Sequence, residues 1–102
     1  MVKITVVKTT LIDEFVDEVD DPKYSPFKAC SYMTEGQEFI FNGIDDDMPK
    51  GFCDSAWIDI YRYVMMIEYG AEPEPRLKNP KSIYACCTEG LRPVVFKLEK
   101  IE

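Results

Sequence analysis

The chain has 102 residues, 46% of them hydrophobic and 30% charged, with a formal net charge of -7, which is typical of a single globular domain over residues 1–102 and not of a disordered chain. Because affinity for phosphate comes mainly from Lys and Arg, the excess of 19 Asp and Glu over 12 Lys and Arg argues against nucleic-acid binding. The sequence contains no His, which excludes a Ser-His-Asp triad, a Cys-His pair and an imidazole-ligated metal.

The N-terminal apolar run, residues 4–7, is interrupted by Thr5. It is far too short for the core of a signal peptide or for a membrane span. We therefore expect a cytoplasmic protein with no membrane partner. In a reducing compartment, the four Cys are expected as thiols, metal ligands or redox groups rather than as two disulfides.

The first half of the chain predicts a strand, a short helix, an irregular segment and a second strand. The alternation of Val2, Ile4 and Val6 with other residues indicates a strand. The apolar residues that follow have helical spacing, with acidic residues where the first turn would lie. Pro22 and Pro26 mark the irregular segment. The predicted bounds are 2–8 for the strand, near 12–19 for the helix, 20–36 for the irregular segment and 37–42 for the second strand.

The second half predicts a long helix and a hairpin. No Gly or Pro occurs between Ser55 and Tyr69, and we expect Asp54 or Ser55 to cap this helix and Gly70 to end it in the left-handed conformation. Gly90 is expected to supply a positive φ in the hairpin. The predicted bounds are about 54–69 for the helix and 82–87 and 93–99 for the strands. This order predicts an α+β fold, a small two-layer sandwich in which a mostly antiparallel sheet of about four strands packs on the long helix.

The cysteines are the candidate site. Cys53 lies at the predicted start of the long helix, where partial positive charge and unpaired N–H groups stabilise a thiolate, although the neighbouring Asp54 opposes this by like-charge repulsion. Cys86 and Cys87 are adjacent near a strand end, so their side chains point to opposite faces. A loop, a helix start and a strand end often meet at one edge of such a sheet. We therefore expect that Cys30, Cys53 and one of the adjacent pair can converge.

Two chemistries fit such a site, and a structural role competes with both. One is binding of a metal ion or an iron–sulfur cluster, although the cysteine spacing matches no standard zinc or bacterial cluster pattern. The other is redox: Cys53 attacks, and Cys86 or Cys30 resolves the mixed disulfide. In the structural alternative the cysteines are core residues, since unpaired Cys is among the most buried residue types.

Two further residues are candidate supports for the site. Arg92 follows the predicted hairpin turn, and its guanidinium can bind an anionic ligand or pair with Asp59 or another carboxylate; we expect the pairing. Trp57 belongs to the main apolar stripe of the long helix. No catalytic residue is assigned.

The long helix also carries a second apolar stripe, which includes Ile58, Met65 and Tyr69. A helix that covers one sheet needs only one such stripe. Either the segment 20–36 or another subunit covers the second. The alternative function is therefore a non-enzymatic homo-oligomeric interaction module.

Several segments together resemble a known group of proteins: Gly51-Phe52-Cys53, Ala56-Trp57, Asp59-Ile60-Tyr61, Cys86-Cys87 and residues 90–99, together with Cys30 and residues 36–39. The pattern resembles a family of small four-cysteine proteins of anaerobic bacteria and archaea without an established activity. The resemblance implies a cytoplasmic setting with little oxygen, where thiols and iron–sulfur clusters survive more easily. The chain departs from it at Asp54-Ser55, where the family tends to have a more hydrophobic or proline-containing stretch.

Overall fold

The computed structural model describes residues 1–19, 21, 23, 28–43 and 46–102. Within these residues a four-stranded sheet carries one long helix on one face. The strands lie in the order β2-β1-β4-β3, and each pairs with its neighbours in the antiparallel direction. The elements are β1 (Val2–Thr9), α1 (Val16–Val19), β2 (Glu38–Phe41), α2 (Asp54–Glu68), β3 (Ser82–Cys86) and β4 (Val94–Lys100). The predicted α+β class and four-stranded sheet are confirmed.

The core forms because one face of the sheet and one face of α2 are both apolar. Alternate residues of β1 and β4 are buried, and the register places Ile4 opposite Leu98 and Val6 opposite Phe96. Side chains of α2 at helical spacing complete the cluster, namely Ala56, Ile60, Val64 and Ile67. Burial of these side chains is the main source of stability for a domain of this size.

The N-terminus of α2 differs from the prediction by one or two residues. Cys53, rather than Asp54 or Ser55, is the N-cap residue, with extended φ and ψ angles of -72° and 124° and no side-chain hydrogen bond to the helix. Asp54 instead occupies the first turn, where its carboxylate suits the helix dipole. The helix therefore begins directly at the candidate thiol.

The C-terminus of α2 confirms the role expected for Gly70, whose φ is 85°. The Gly70 N–H donates to the carbonyl of Ile67 at 3.0 Å, and the Ala71 N–H donates to that of Met66 at 2.9 Å. These two bonds make a Schellman motif, which requires a left-handed residue after the last helical turn.

The predicted short N-terminal helix is wrong as a regular helix. Residues Asp13–Phe15 form a 3-10 turn that runs into the single turn of α1. Phe15 and Val19 remain 48% and 49% exposed, so this segment lacks the packing that a short helix needs in water. The described residues of the irregular segment, 21, 23 and 28–36, lie in no helix or strand, as expected. No helix of the described residues is long and apolar enough to cross a bilayer.

Candidate functional site

A pocket of about 330 Å³ lies at the end of the sheet where β3 ends and β4 begins. Three thiols line it. Cys53 comes from the start of α2, Cys87 directly follows β3, and Cys30 comes from the irregular segment before β2. This volume lies at the small end of the range for ligand sites in proteins.

The fourth cysteine lies outside the pocket. Cys86 is exposed and does not line the cavity, whereas Cys30, Cys53 and Cys87 are half-buried. Side chains alternate along β3, so Ile83 and Cys87 pack against the core while Cys86 points to the other face. The structure therefore brings three of the four predicted cysteines to one pocket and leaves Cys86 outside its lining.

Backbone pairing anchors Cys87. Its N–H donates to the carbonyl of Val94 at 3.1 Å, and the Val94 N–H donates to the Cys87 Sγ at 3.2 Å. Val94 is itself paired with Thr9 of β1. The Cys87 sulfur is thus held by the first residue of a central strand.

A clasp between Asp59 and Thr88 joins α2 to the loop after β3. The Thr88 N–H donates to Asp59 Oδ2 at 2.8 Å, and the Thr88 hydroxyl donates to both carboxylate oxygens at 3.1 Å. Both residues line the pocket. This clasp was not predicted from the sequence. The sequence does indicate a polar face on a mainly apolar helix, because Ser55 and Asp59 are four residues apart.

The turn between β3 and β4 is organised by Glu89. Its carboxylate accepts from the Leu91 N–H at 2.9 Å and from the Arg92 Nε. The Leu91 amide and, after it, the Arg92 guanidinium hold the pKa of Glu89 below its usual 4.5. Arg92 therefore forms an ion pair with a carboxylate, as expected, and Glu89 provides it.

The expectation for Gly90 is wrong. Its φ does not lie in the left-handed region, unlike that of Gly70. The side chain of Glu89 closes the turn by hydrogen bonds, so the turn does not depend on a left-handed glycine.

Trp57 is not one of the residues that line the pocket. Its ring packs edge-on against Phe52 at 5.7 Å and Tyr61 at 5.5 Å and is tilted against Phe41 at 5.6 Å. Trp57 is therefore part of the aromatic core beside the site, where it supports Phe52, the neighbour of Cys53.

Across residues 1–19, 21, 23, 28–43 and 46–102, no group of three or more Cys, Asp or Glu is placed to hold a metal ion. The three pocket thiols share a cavity without forming a ligand set. Metal or cluster ligation by these cysteines would need side chains to move from where they lie.

The second apolar stripe of α2 is exposed in part. Ile58 and Tyr69 are 77% and 68% exposed, whereas Met65 is half-buried. The described residues of the segment 20–36 therefore leave these two side chains accessible.

Comparison with known proteins yields no relative: no protein-family model, no curated protein and no solved structure matches this chain. The function of the pocket is therefore inferred from its own residues.

Proposed function

We propose that this chain is a thiol–disulfide exchange protein whose working site is the three-cysteine pocket. The observation that carries the proposal is the convergence of Cys30, Cys53 and Cys87, all of them thiols, on one cavity. Each of the three is only half-buried, whereas a cysteine that merely fills a core is among the most fully buried residues. Accessible thiols that share a cavity can reach the same small molecule.

Cys53 is the attacking thiol. It is the N-cap residue of α2, and no side chain caps the first turn of that helix. It lines the pocket together with Ser55 and Ala56 of that helix and is half-buried, so a small disulfide can reach its sulfur.

The reaction takes place in two exchange steps. The Cys53 thiolate attacks one sulfur of a small disulfide RSSR, the S–S bond breaks, and RS⁻ leaves to take up a proton. A second pocket thiol then loses its proton and attacks the Cys53 sulfur, which releases the second RS⁻ and leaves a protein disulfide. The protein dithiol is oxidised by two electrons, and RSSR is reduced to two RSH.

Binding of a metal ion or an iron–sulfur cluster has less support, because the described residues offer no group of three or more ligands. A cytoplasmic setting is part of the proposal, because thiols stay reduced there. The resemblance to small four-cysteine proteins of anaerobic bacteria and archaea fits the same chemistry, and membership of that family is likewise proposed. The formal charge of -7 supports neither a nucleic-acid partner nor an anionic membrane surface.

The test uses the reduced chain under anaerobic conditions and hydroxyethyl disulfide as the probe. We expect intact-mass spectrometry to detect first a mixed disulfide on Cys53 and then a bridge between two pocket cysteines. Cys53→Ser should abolish the bridge, and the matched variant Cys86→Ser should form it at the rate of the unchanged chain. The proposal fails if no pocket cysteine reacts faster than the exposed Cys86.

A second candidate is a homo-oligomeric interaction module. Three large side chains on one side of α2 favour it, because Ile58, Tyr61 and Tyr69 are 77%, 43% and 68% exposed. Met and Tyr are common at protein interfaces. Light scattering over a concentration series tests this candidate, and a strict monomer at high concentration contradicts it.

A further inference from the structure

We propose that Cys87 is the resolving thiol of the pocket and that Asp59 is a positioning residue that acts on it through Thr88. The inference deepens the proposed function and rests on it, because a resolving thiol has a role only if Cys53 forms a mixed disulfide. It replaces the sequence-based assignment of Cys86 or Cys30.

Cys87 is the better anchored of the two remaining pocket thiols. Its backbone is paired with Val94 at 3.1 Å, and the Val94 N–H holds the sulfur at 3.2 Å. Cys30, in contrast, lies in an irregular segment whose buried residue among those described is Met33. Fixing a reacting group in place raises its effective concentration toward its target, so the anchored sulfur is expected to attack faster.

The clasp ties this anchored sulfur to the helix that carries Cys53. Thr88 directly follows Cys87, and it gives both of its donors to Asp59 at 2.8 and 3.1 Å. Asp59 belongs to the same helix whose N-cap is Cys53. One rigid helix therefore positions both thiols, Cys53 through the chain and Cys87 through the clasp.

The clasp is a neutral-donor to carboxylate contact, and such hydrogen bonds are stronger than neutral pairs. Arg92, which also lines the pocket, forms an ion pair with Glu89. Asn at position 59 keeps one oxygen that can accept from Thr88, whereas Ala keeps none. These two substitutions separate loss of the hydrogen bonds from loss of the charge.

The experiment measures the two exchange steps separately with hydroxyethyl disulfide, in a Cys86→Ser background that removes the cysteine adjacent to Cys87. We expect Cys87→Ser to accumulate the mixed disulfide on Cys53, whereas Cys30→Ser should still convert it to the protein disulfide. Asp59→Ala should slow the resolving step by about tenfold or more and should slow the attack by Cys53 much less.

Conservative variants act as controls for a merely structural effect. Asp59→Asn and Thr88→Ser should retain most of the resolving rate, because each keeps donors and acceptors of the clasp. Thr88→Val loses only the hydroxyl, so its resolving rate should lie between those of the conservative variants and that of Asp59→Ala. It also provides the test if Asp59→Ala does not fold. Asp13→Ala removes the same charge at an exposed position outside the pocket and should change neither step. Circular dichroism verifies the fold of each variant.

The outcomes separate the inference from the function. If no mixed disulfide forms on Cys53 in any variant, the proposed function and the inference both fail. If Cys87→Ser resolves the mixed disulfide and Cys30→Ser does not, Cys30 is the resolving thiol and the inference alone fails. An unchanged resolving rate in a folded Asp59→Ala would overturn the positioning role of Asp59.

Discussion

The two ends of α2 are tied to the sheet by different interactions. At its C-terminus, the Lys100 Nζ donates to the Glu68 carboxylate at 2.9 Å and to the Glu68 carbonyl at 2.7 Å, and the amino group of Met1 donates to the same carboxylate at 3.1 Å. The lysine also offsets the negative end of the helix dipole. At the N-terminus of α2, the neutral donors of Thr88 hold Asp59, and thiols lie beside them.

The difference shows which end is available for chemistry. At the C-terminal end, two ion pairs engage the Oε1 atom of Glu68, whereas the pocket end leaves three thiols accessible. The ion pairs at the C-terminal end of α2 therefore stabilise the fold. At the N-terminal end, the clasp contacts the helix from one side only, which leaves space for a ligand in the pocket.

The largest expected effect is a loss of stability when a substitution leaves a cavity in the core beside either end of α2. Phe52→Ala removes a buried ring whose centroid lies 4.9 Å from that of Phe39 and 5.2 Å from that of Phe96. We expect the free energy of unfolding, measured by urea denaturation, to fall by about 3–5 kcal/mol. Ile67→Ala, at the other end, should cost about 2–5 kcal/mol. Only Phe52→Ala should also change the alkylation rate of Cys53, its neighbour, and equal alkylation rates in the two variants would contradict the distinction between the ends.

Breaking the ion pair between Lys100 and Glu68 should affect only the C-terminal end of α2. Lys100→Met leaves the Glu68 carboxylate, whose side chain is 15% exposed, without its main hydrogen-bond donor. We expect a loss of about 1–3 kcal/mol in the free energy of unfolding. The exposed Lys78→Met is the matched control and should change stability by less than about 0.5 kcal/mol. Thiol exchange in the pocket should be the same in both variants, and a change in Lys100→Met would show that the ends are coupled.

A glycine pair distinguishes the two turns. Gly70 has φ of 85°, so Gly70→Ala should destabilise by about 1–2 kcal/mol. Gly90 is not in the left-handed region, and an added Cβ would meet nothing within 4 Å. Gly90→Ala should therefore be neutral or stabilise by up to about 1 kcal/mol. Thermal unfolding measures both variants, and equal losses would mean that the Glu89 turn also requires a flexible residue.

The smallest expected effect is a dependence on pH. Burial by itself raises the pKa of Glu68, but hydrogen bonds from Lys100 and the Met1 amino group outweigh it and hold that pKa below 4.5. A carboxylate whose pKa is lowered in the folded state stabilises the fold above its unfolded pKa, and this contribution is lost as the pH falls through the folded value. The urea midpoint of Lys100→Met should therefore fall less steeply than that of the unchanged chain between about pH 5 and pH 2. Parallel curves would show that this ion pair does not contribute.

Periodicity predicted the regular elements well where packing agreed with local pattern. The strands at 2–8 and 93–99 and the helix at 54–69 correspond to β1, β4 and α2 within one or two residues, because each buries one apolar face. The segment near 12–19 had helical spacing but only a 3-10 turn and one helical turn formed. Its apolar side chains have no core to cover, and spacing alone does not stabilise a short helix.

The sequence by itself determined that Cys86 and Cys87 point to opposite faces, because side chains alternate along a strand. It also determined that Cys53 lies at the start of a helix, because Gly51 interrupts the chain just before it. It did not determine which of the two adjacent cysteines lines the pocket. That choice depends on which face of β3 is covered by α2.

Only the tertiary structure decided the clasp and the partner of Arg92. Asp59 and Thr88 are 29 residues apart, and no local pattern pairs a helix carboxylate with a loop hydroxyl at that distance. Arg92 was expected to pair with Asp59 or another carboxylate, and the structure shows an ion pair with Glu89, three residues away. Local backbone geometry fixes the direction in which each side chain points, whereas long-range packing decides which side chains meet. The sequence could therefore place each thiol on its element but could not assign its role.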